Sequence, residues 1–473
     1  MSDIGTPDPR FTTPADPDLA RSIGDALASI PLIPVDGHDD PVPVTITPDG
    51  VVYLTGDVIV YGDDASARLG ELERDASLAD SVGDWHRHVG VRDVLPLVDT
   101  LREEGHTAQP NHAFSASGCD HACDCGPHPA LAAQIAEDGV LGLLTGQPMR
   151  SQPMRSQPMR SQPMRSQPFR SQSSPPMSTA RPATDAEIPQ RTMGAGRRPR
   201  PLVVVLDTGV ADPLPPMLQP EALPGPDGAD VFGWIDLPDR DDPRDGYLDP
   251  VAGHGTFIAG IVQRLAPGCP QLHLPMTTRF GLVPEWHVLQ WLAWIPVLTE
   301  AAERDVIVSM SFGGPTTDGS NLLEQAVGTA SAAVGDQGRT STVLVAAAGN
   351  DGTCRPYYPA AWPTVLGVGA LGAAGAPDWT NYGTWVDVCA AGVDITSTFF
   401  TWNGELPRIN TVDEDDFPGW AVWSGTSFAT PMVVAALART IVLEGVDAIT
   451  AAGRVARAPH LARLPGLGTI VNV

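Results

Sequence analysis

Leu202-Val203-Val204-Val205-Leu206-Asp207-Thr208-Gly209 is an unbroken apolar run that ends on a carboxylate and a turn. Consecutive apolar, β-branched-rich residues without polar alternation read as a strand buried on both faces, as in the middle of a parallel sheet. Further apolar strands at 272–275, 306–309, 342–346 and 364–368 alternate with helical stretches at 255–264, 286–304, 321–334 and 427–443. This alternation predicts an α/β domain over 201–473, a doubly wound, mostly parallel sheet with helices on both faces. The working site of such a sheet lies at the carboxyl ends of its strands, where Asp207 stands.

Two more stretches fit a site there. Gly253-His254-Gly255-Thr256 opens a helical pattern, and Ser424-Gly425-Thr426-Ser427 opens another that carries Pro431. A serine hydroxyl is a poor nucleophile at neutral pH; it needs a base to take its proton and a third group to orient and charge-compensate that base. Asp207, His254 and Ser427 fill these roles. Each stretch alone is unspecific, since Asp-Thr-Gly also marks aspartic proteases and Gly-Thr-Ser is an ordinary helix start. Their joint occurrence in the order Asp, His, Ser is specific, because the same constellation occurs in other orders on other folds. Ala347-Ala348-Gly349-Asn350 adds a side-chain amide at a strand end, suited to meet the negative charge of a tetrahedral intermediate together with the Ser427 N–H.

Leu206-Asp207-Thr208-Gly209, Gly253-His254-Gly255-Thr256-Phe257-Ile258-Ala259-Gly260 and Ser424-Gly425-Thr426-Ser427-Phe428-Ala429-Thr430-Pro431 together resemble the three active-site motifs of the subtilisin-like (subtilase, peptidase S8) serine proteases, over roughly 200–473. The resemblance implies a serine endopeptidase acting through an acyl-enzyme, polypeptide substrates, no required cofactor, and Asn350 as the oxyanion-hole side chain. It also implies that Ser311, Phe312 and Gly313 pair with the substrate backbone as an added strand, and that Ala347 and Gly349 line the pocket for the residue before the scissile bond. Phe428 stands where many subtilisins carry methionine. A sedolisin-like protease would use a glutamate base, and an aspartic protease would need a second Asp-Thr-Gly or Asp-Ser-Gly loop, which the chain lacks. The competing non-enzymatic reading is a catalytically silent scaffold or binding protein with this fold.

Composition narrows the field further. The 473 residues carry a formal charge of -27 with a pI near 4.5, which argues against nucleic acid as a partner. There is no lysine, so a Walker P-loop, a lysine Schiff base and a Ser-Lys dyad are excluded. Residues 1–20 contain no apolar core behind a basic start, and no run of about 18 apolar residues stands out as a span. The literal expectation is a cytoplasmic protein, or a secreted one if the start site is misassigned or export is non-standard. Six cysteines in this length do not decide the redox compartment.

Upstream of the catalytic region, 1–41 is expected to be flexible and 42–115 to form a small α+β domain. The latter combines β-rich runs around Pro48-Asp49-Gly50, helical patterns at 65–76 and 91–104, and a closing strand at 110–114. Its size resembles a subtilase propeptide, which implies an intramolecular inhibitor or chaperone whose last strand leads toward the cleft. Residues 116–146 form a connector in which Cys119, His121, Cys123, Cys125 and His128 offer either a zinc site or free or locally oxidised thiols. From 147 to 200 a Gln-Pro-Met-Arg-Ser pentad gives way to a basic tail, with ten arginines against Asp185 and Glu187. Proline at every fifth position forbids a continuous helix, so a disordered linker is expected, either solvated or held to the acidic body; the propeptide resemblance implies a releasing cut within 148–200. Two acidic stretches, 236–249 and 413–416, read as solvated loops, with calcium binding or a preference for basic substrates as alternatives.

Overall fold

The computed structural model describes residues 11–12, 16–27, 43–116, 128–129, 193 and 196–473, the last range without 221, 223–226, 229, 239–247, 250, 279–280, 318–320, 336–337, 403–416 and 459–460. Its main sheet has eleven strands. Along it run Val231–Trp234, Gln271–Pro275, Leu202–Asp207, Val306–Met310, Thr340–Ala347, Val365–Leu371, Val388–Ala391 and Gly468–Ile470, each parallel to the next in this series. All six residues of Leu202–Asp207 are buried, and the five apolar ones alternate between two cores. Leu202, Val204 and Leu206 point into one with Trp286, Leu292, Leu322 and Val327 from helices Glu285–Ala302 and Asn321–Ser331. Val203 and Val205 point into the other with Phe257, Val433 and Ala451 from helices His254–Leu265, Thr426–Glu444 and Ala448–Ala456. The unbroken apolar run thus reflects burial on both faces.

Helix Thr426–Glu444 is long and apolar enough to cross a membrane by length and composition, which corrects the expectation that no such run exists; 72% of its apolar window lies inside the fold. A hairpin of Ile395–Trp402 and Phe417–Trp423 packs over helix His254–Leu265 and lies outside the predicted pattern.

Residues 44–115 form an antiparallel sheet with helices Asp63–Leu72 and Val94–Glu103 on one face, where Val58, Val60, Leu69, Val98 and Leu101 make a separate core. Its strands Ser77–Val82 and Trp85–Val89 carry buried His86 and His88 where an apolar alternation would be expected, which is why the sequence pattern passes over them. The sheet is continued by Leu282–Pro284, which pairs antiparallel with Thr107–Ser115.

The segment 1–41, expected to be flexible, contains structure. Phe11–Thr12 pairs antiparallel with the edge strand Val231–Trp234, and helix Pro17–Leu27 packs on helix Glu285–Ala302. Leu19 and Ile23, one turn apart, are 3% and 0% exposed in the same core as Trp286 and Leu289. The pentad repeats and the Cys119–Cys125 cluster lie outside the described residues, as do 413–416 and most of the acidic stretch after Asp236. The end of the basic tail is docked: Arg198 pairs with buried Asp305 at 2.6 Å, and Arg200 pairs with Asp227.

Candidate active site

Asp207 ends its strand at the carboxyl edge of the sheet, and His254 is the first residue of a helix whose preceding Gly253 has φ 80. Neither flanking glycine tolerates a side chain: a Cβ at Gly253 would lie 2.3 Å from the Phe399 ring, and one at Gly255 would lie 2.1 Å from the Gly209 carbonyl oxygen. This close approach brings the His254 Nδ1 to 2.8 and 2.9 Å from the two carboxylate oxygens of Asp207, with both side chains 1% exposed. A carboxylate only accepts, so Nδ1 carries the hydrogen and Nε2 keeps the lone pair a base needs. The ring is boxed by Trp423 at 5.1 Å, edge-on, and Phe428 at 5.2 Å. Phe428 also packs on Phe257 at 4.5 Å, so the aromatic residue after Ser427 belongs to a cluster that fixes the imidazole.

Beneath this pair lies a group whose stretch reads in sequence as a solvated acidic loop. Asp236 is 2% exposed. Its Oδ2 accepts from the Thr208 hydroxyl at 2.6 Å and from the Gly253 N–H at 2.8 Å, while the Thr208 oxygen accepts from the Gly255 N–H at 3.0 Å. One carboxylate therefore ties the turn after Asp207 to both residues that flank His254. Asp236 is a structural acceptor, and no local motif marks it.

Ser427 is the second residue of helix Thr426–Glu444 and is 4% exposed. Pro431 falls four residues later, so the Ser427 carbonyl has no i+4 N–H to accept from. The Ser311 hydroxyl takes that place, donating to the Ser427 oxygen at 2.9 Å. Ser311, expected to meet substrate, thus also holds the backbone of Ser427. The Asn350 Oδ1 accepts from both the N–H and the hydroxyl of Thr426, each at 2.9 Å. This fixes the amide so that its Nδ2 lies on the Gly425 side, 3.5 Å from where a Cβ at that residue would be.

The cleft holds part of the chain itself. Ser115 and Gly313 exchange backbone hydrogen bonds of 3.1 and 3.2 Å, and the Ala116 N–H donates to the Gly281 carbonyl at 2.9 Å. The strand Thr107–Ser115 and Ala116 are thereby held on both sides by the large domain. Phe114 is 1% exposed and stacks on Phe312, with centroids 6.2 Å apart. The Ser427 hydroxyl is 3.3 Å from the carbonyl oxygens of Ala116 and Ser311. Further out, Asn111 and Gln109 accept from the Trp286 and Leu322 N–H groups, capping the first turns of two helices, and His112 meets Glu285 at 2.5 Å with both side chains buried.

Of the remaining expected residues, Ala347 ends its strand and is 3% exposed. Gly349 has φ +98, and the room a side chain would need is filled by Asn381 and Tyr357, 2.4 and 2.6 Å from where a Cβ would stand. The described residues contain no group of three or more His, Cys, Asp or Glu side chains able to hold a metal ion.

Residues 199–447 match the family model of the Subtilase family. The "Thermophilic serine proteinase" of Bacillus sp. (strain AK1) is 31% identical over 249 residues, covering 51% of this chain and 52% of that protein. "Thermitase" of Thermoactinomyces vulgaris is 29% identical over 244 residues, 49% of this chain and 71% of that protein. The chain therefore spans about half the length of the first of these relatives. A solved structure, "Crystal structure of a cold adapted subtilisin-like serine proteinase", aligns with a TM-score of 0.41 and 20% identity over 57% of this chain and 87% of that one. The family match extends over more than half of the residues and includes Asp207, His254, Asn350 and Ser427, and the chain belongs to the subtilase family.

Proposed function

We propose that the protein is a serine endopeptidase that hydrolyses polypeptides through an acyl-enzyme, with Asp207, His254 and Ser427 as the triad. The observation that carries this is the paired geometry of the buried His254–Asp207 contact at 2.8 Å and a peptide carbonyl 3.3 Å from the Ser427 hydroxyl. His254 Nε2 takes the hydroxyl proton as Oγ attacks the carbonyl carbon, and Asp207 compensates the imidazolium that forms. Asn350 Nδ2 and the Ser427 N–H receive the oxyanion; Thr426 holds the amide in the donating orientation. The imidazolium returns its proton to the leaving amine, and water then releases the acyl group by the same route. Ser311, Phe312 and Gly313 hold the substrate as an added strand, as Gly313 holds Ser115. None of these steps requires a cofactor. No observation favours the silent-scaffold reading.

The large domain is read as doubly wound, and 43–116 as an inhibitor that lays its last strand in the cleft in the manner of a substrate. With the Ala116 carbonyl beside Ser427, the releasing cut falls at the bond after Ala116 or at the next one. This moves it away from 148–200. The test is reaction of the full chain with a fluorophosphonate probe, alongside N-terminal sequencing of its products. Ser427→Ala should abolish both labelling and the new terminus at residue 117 or 118; labelling that survives the substitution removes Ser427 from its role.

A further inference from the structure

We infer that residues 11–27 are an arm docked on the catalytic domain, so that the cut near Ala116 does not by itself free the enzyme from its inhibitor. This rests on the reading of 43–116 as an inhibitory domain. The arm precedes that domain in sequence yet docks elsewhere. Phe11–Thr12 adds a strand to the free edge of Val231–Trp234, covering backbone groups that an edge strand otherwise leaves open. The Asp16 N–H reaches the Asp230 carboxylate at 3.4 Å, and Asp16 in turn caps helix Pro17–Leu27 by accepting from the Asp18 and Leu19 N–H groups at 3.0 and 3.3 Å. Leu19 and Ile23 then enter the core under helix Glu285–Ala302.

After scission, fragment 1–116 still grips the enzyme at two places, the cleft and the sheet edge, joined through residues 28–42. Two linked contacts raise apparent affinity by about 10²–10⁴-fold over either alone, because a released inhibitor stays at high local concentration and rebinds. Release of 43–116 therefore requires that the sheet-edge contact let go as well as the cleft, and the arm sets the rate at which the cut fragment leaves.

The experiment uses the full chain with Ser427→Ala and a recognition sequence for an added site-specific protease inserted within 147–170. Once cut there, the two pieces are held only by non-covalent contacts. Isotope-labelled cut protein is mixed with an excess of unlabelled cut protein, and exchange of the N-terminal piece is followed by native mass spectrometry. Leu19→Asp with Ile23→Asp should speed exchange at least about 100-fold; acceleration of less than tenfold overturns the inference. Should that variant fail to fold, Leu19→Ala with Ile23→Ala replaces it, with tenfold or greater acceleration expected and rates within threefold of the parent overturning it. Because the readout is binding in an inactive background, failure of the protease reading leaves it intact. Failure of the inhibitory reading shows separately, as full activity of the Ser427-containing chain while 43–116 is still bound.

Discussion

Replacing Asp236 by asparagine separates alignment of His254 from the proposed chemistry itself. The carboxylate accepts two short bonds, 2.6 Å from the Thr208 hydroxyl and 2.8 Å from the Gly253 N–H, and it touches no reacting atom. Both donors meet the one oxygen, Oδ2, so an asparagine that sets its carbonyl there keeps both bonds but loses the charge that strengthens them. Hydrogen bonds to a charged group contribute about 1.5–3 kcal/mol each against about 0.5–1.5 kcal/mol for neutral pairs, so each of the two bonds gives up about 1–1.5 kcal/mol. The expected loss is therefore about 2–3 kcal/mol, equivalent to ~30–150-fold where it falls on the placement of His254. Thr208→Val should cost a similar amount through the same bond, and the double variant should cost less than the sum of the two singles. The assay is kcat/KM on a peptide amide for the activated enzyme, with the urea midpoint measured on the same preparations. A reduced kcat at constant KM places the loss in alignment, and a lowered midpoint places it in the fold. If kcat/KM stays within twofold and the midpoint is unchanged, Asp236 does not organise the site.

Asn350→Ala should reduce kcat by about 10–150-fold with little change in KM, the magnitude of one hydrogen bond to a developing charge; an equal rise in KM instead would place Asn350 in ground-state binding. His273 is fully buried in the central sheet, neither ring nitrogen has a hydrogen-bond partner among the described residues, and burial pushes its pKa down to about 3. The unfolded ring takes up a proton near pH 6.5 that the folded ring refuses, so its contribution is complete above that pH and is lost as pH falls toward 3, at about 1.4 kcal/mol per unit. His273→Leu should shrink the loss of unfolding free energy between pH 7 and pH 5 by about 2 kcal/mol, measured by urea titration; an unchanged difference refutes the assignment. Burial also pushes the Cys269 and Cys389 thiols up to about 12 and about 11, whereas Cys354 is exposed. Iodoacetamide at pH 8 should modify Cys354 in the native protein and leave the other two for the unfolded chain, as read by peptide mass spectrometry.

The proposed triad is legible because each of its members sits in a local motif whose shape is set by neighbours in sequence: a strand end for Asp207, a glycine-flanked helix start for His254, a Gly-Thr-Ser helix start for Ser427. Asp236 and Trp423 act on the same histidine through contacts made only by folding, so no spacing announces them. Ser311 is legible as a cleft residue, but its bond to the Ser427 carbonyl depends on a proline far along the chain. The parallel sheet emerges from its apolar runs. The hairpin Ile395–Trp402 and Phe417–Trp423 does not, because its alternation is interrupted by threonine, glycine and proline. The arm at 11–27 carries only a faint signal, Leu19 and Ile23 at a spacing of four, masked by surrounding aspartate and proline.

Pro431 also sets what can be changed beside Ser427. An alanine there would bring an N–H into line with the Ser427 carbonyl and displace the Ser311 hydroxyl from it. That hydroxyl would then be released into the cleft as a new polar group 116 positions upstream of the serine it once supported. A substitution in a helix interior would in this way rewrite the hydrogen-bonding surface offered to an incoming peptide, without any residue of the cleft wall having been altered.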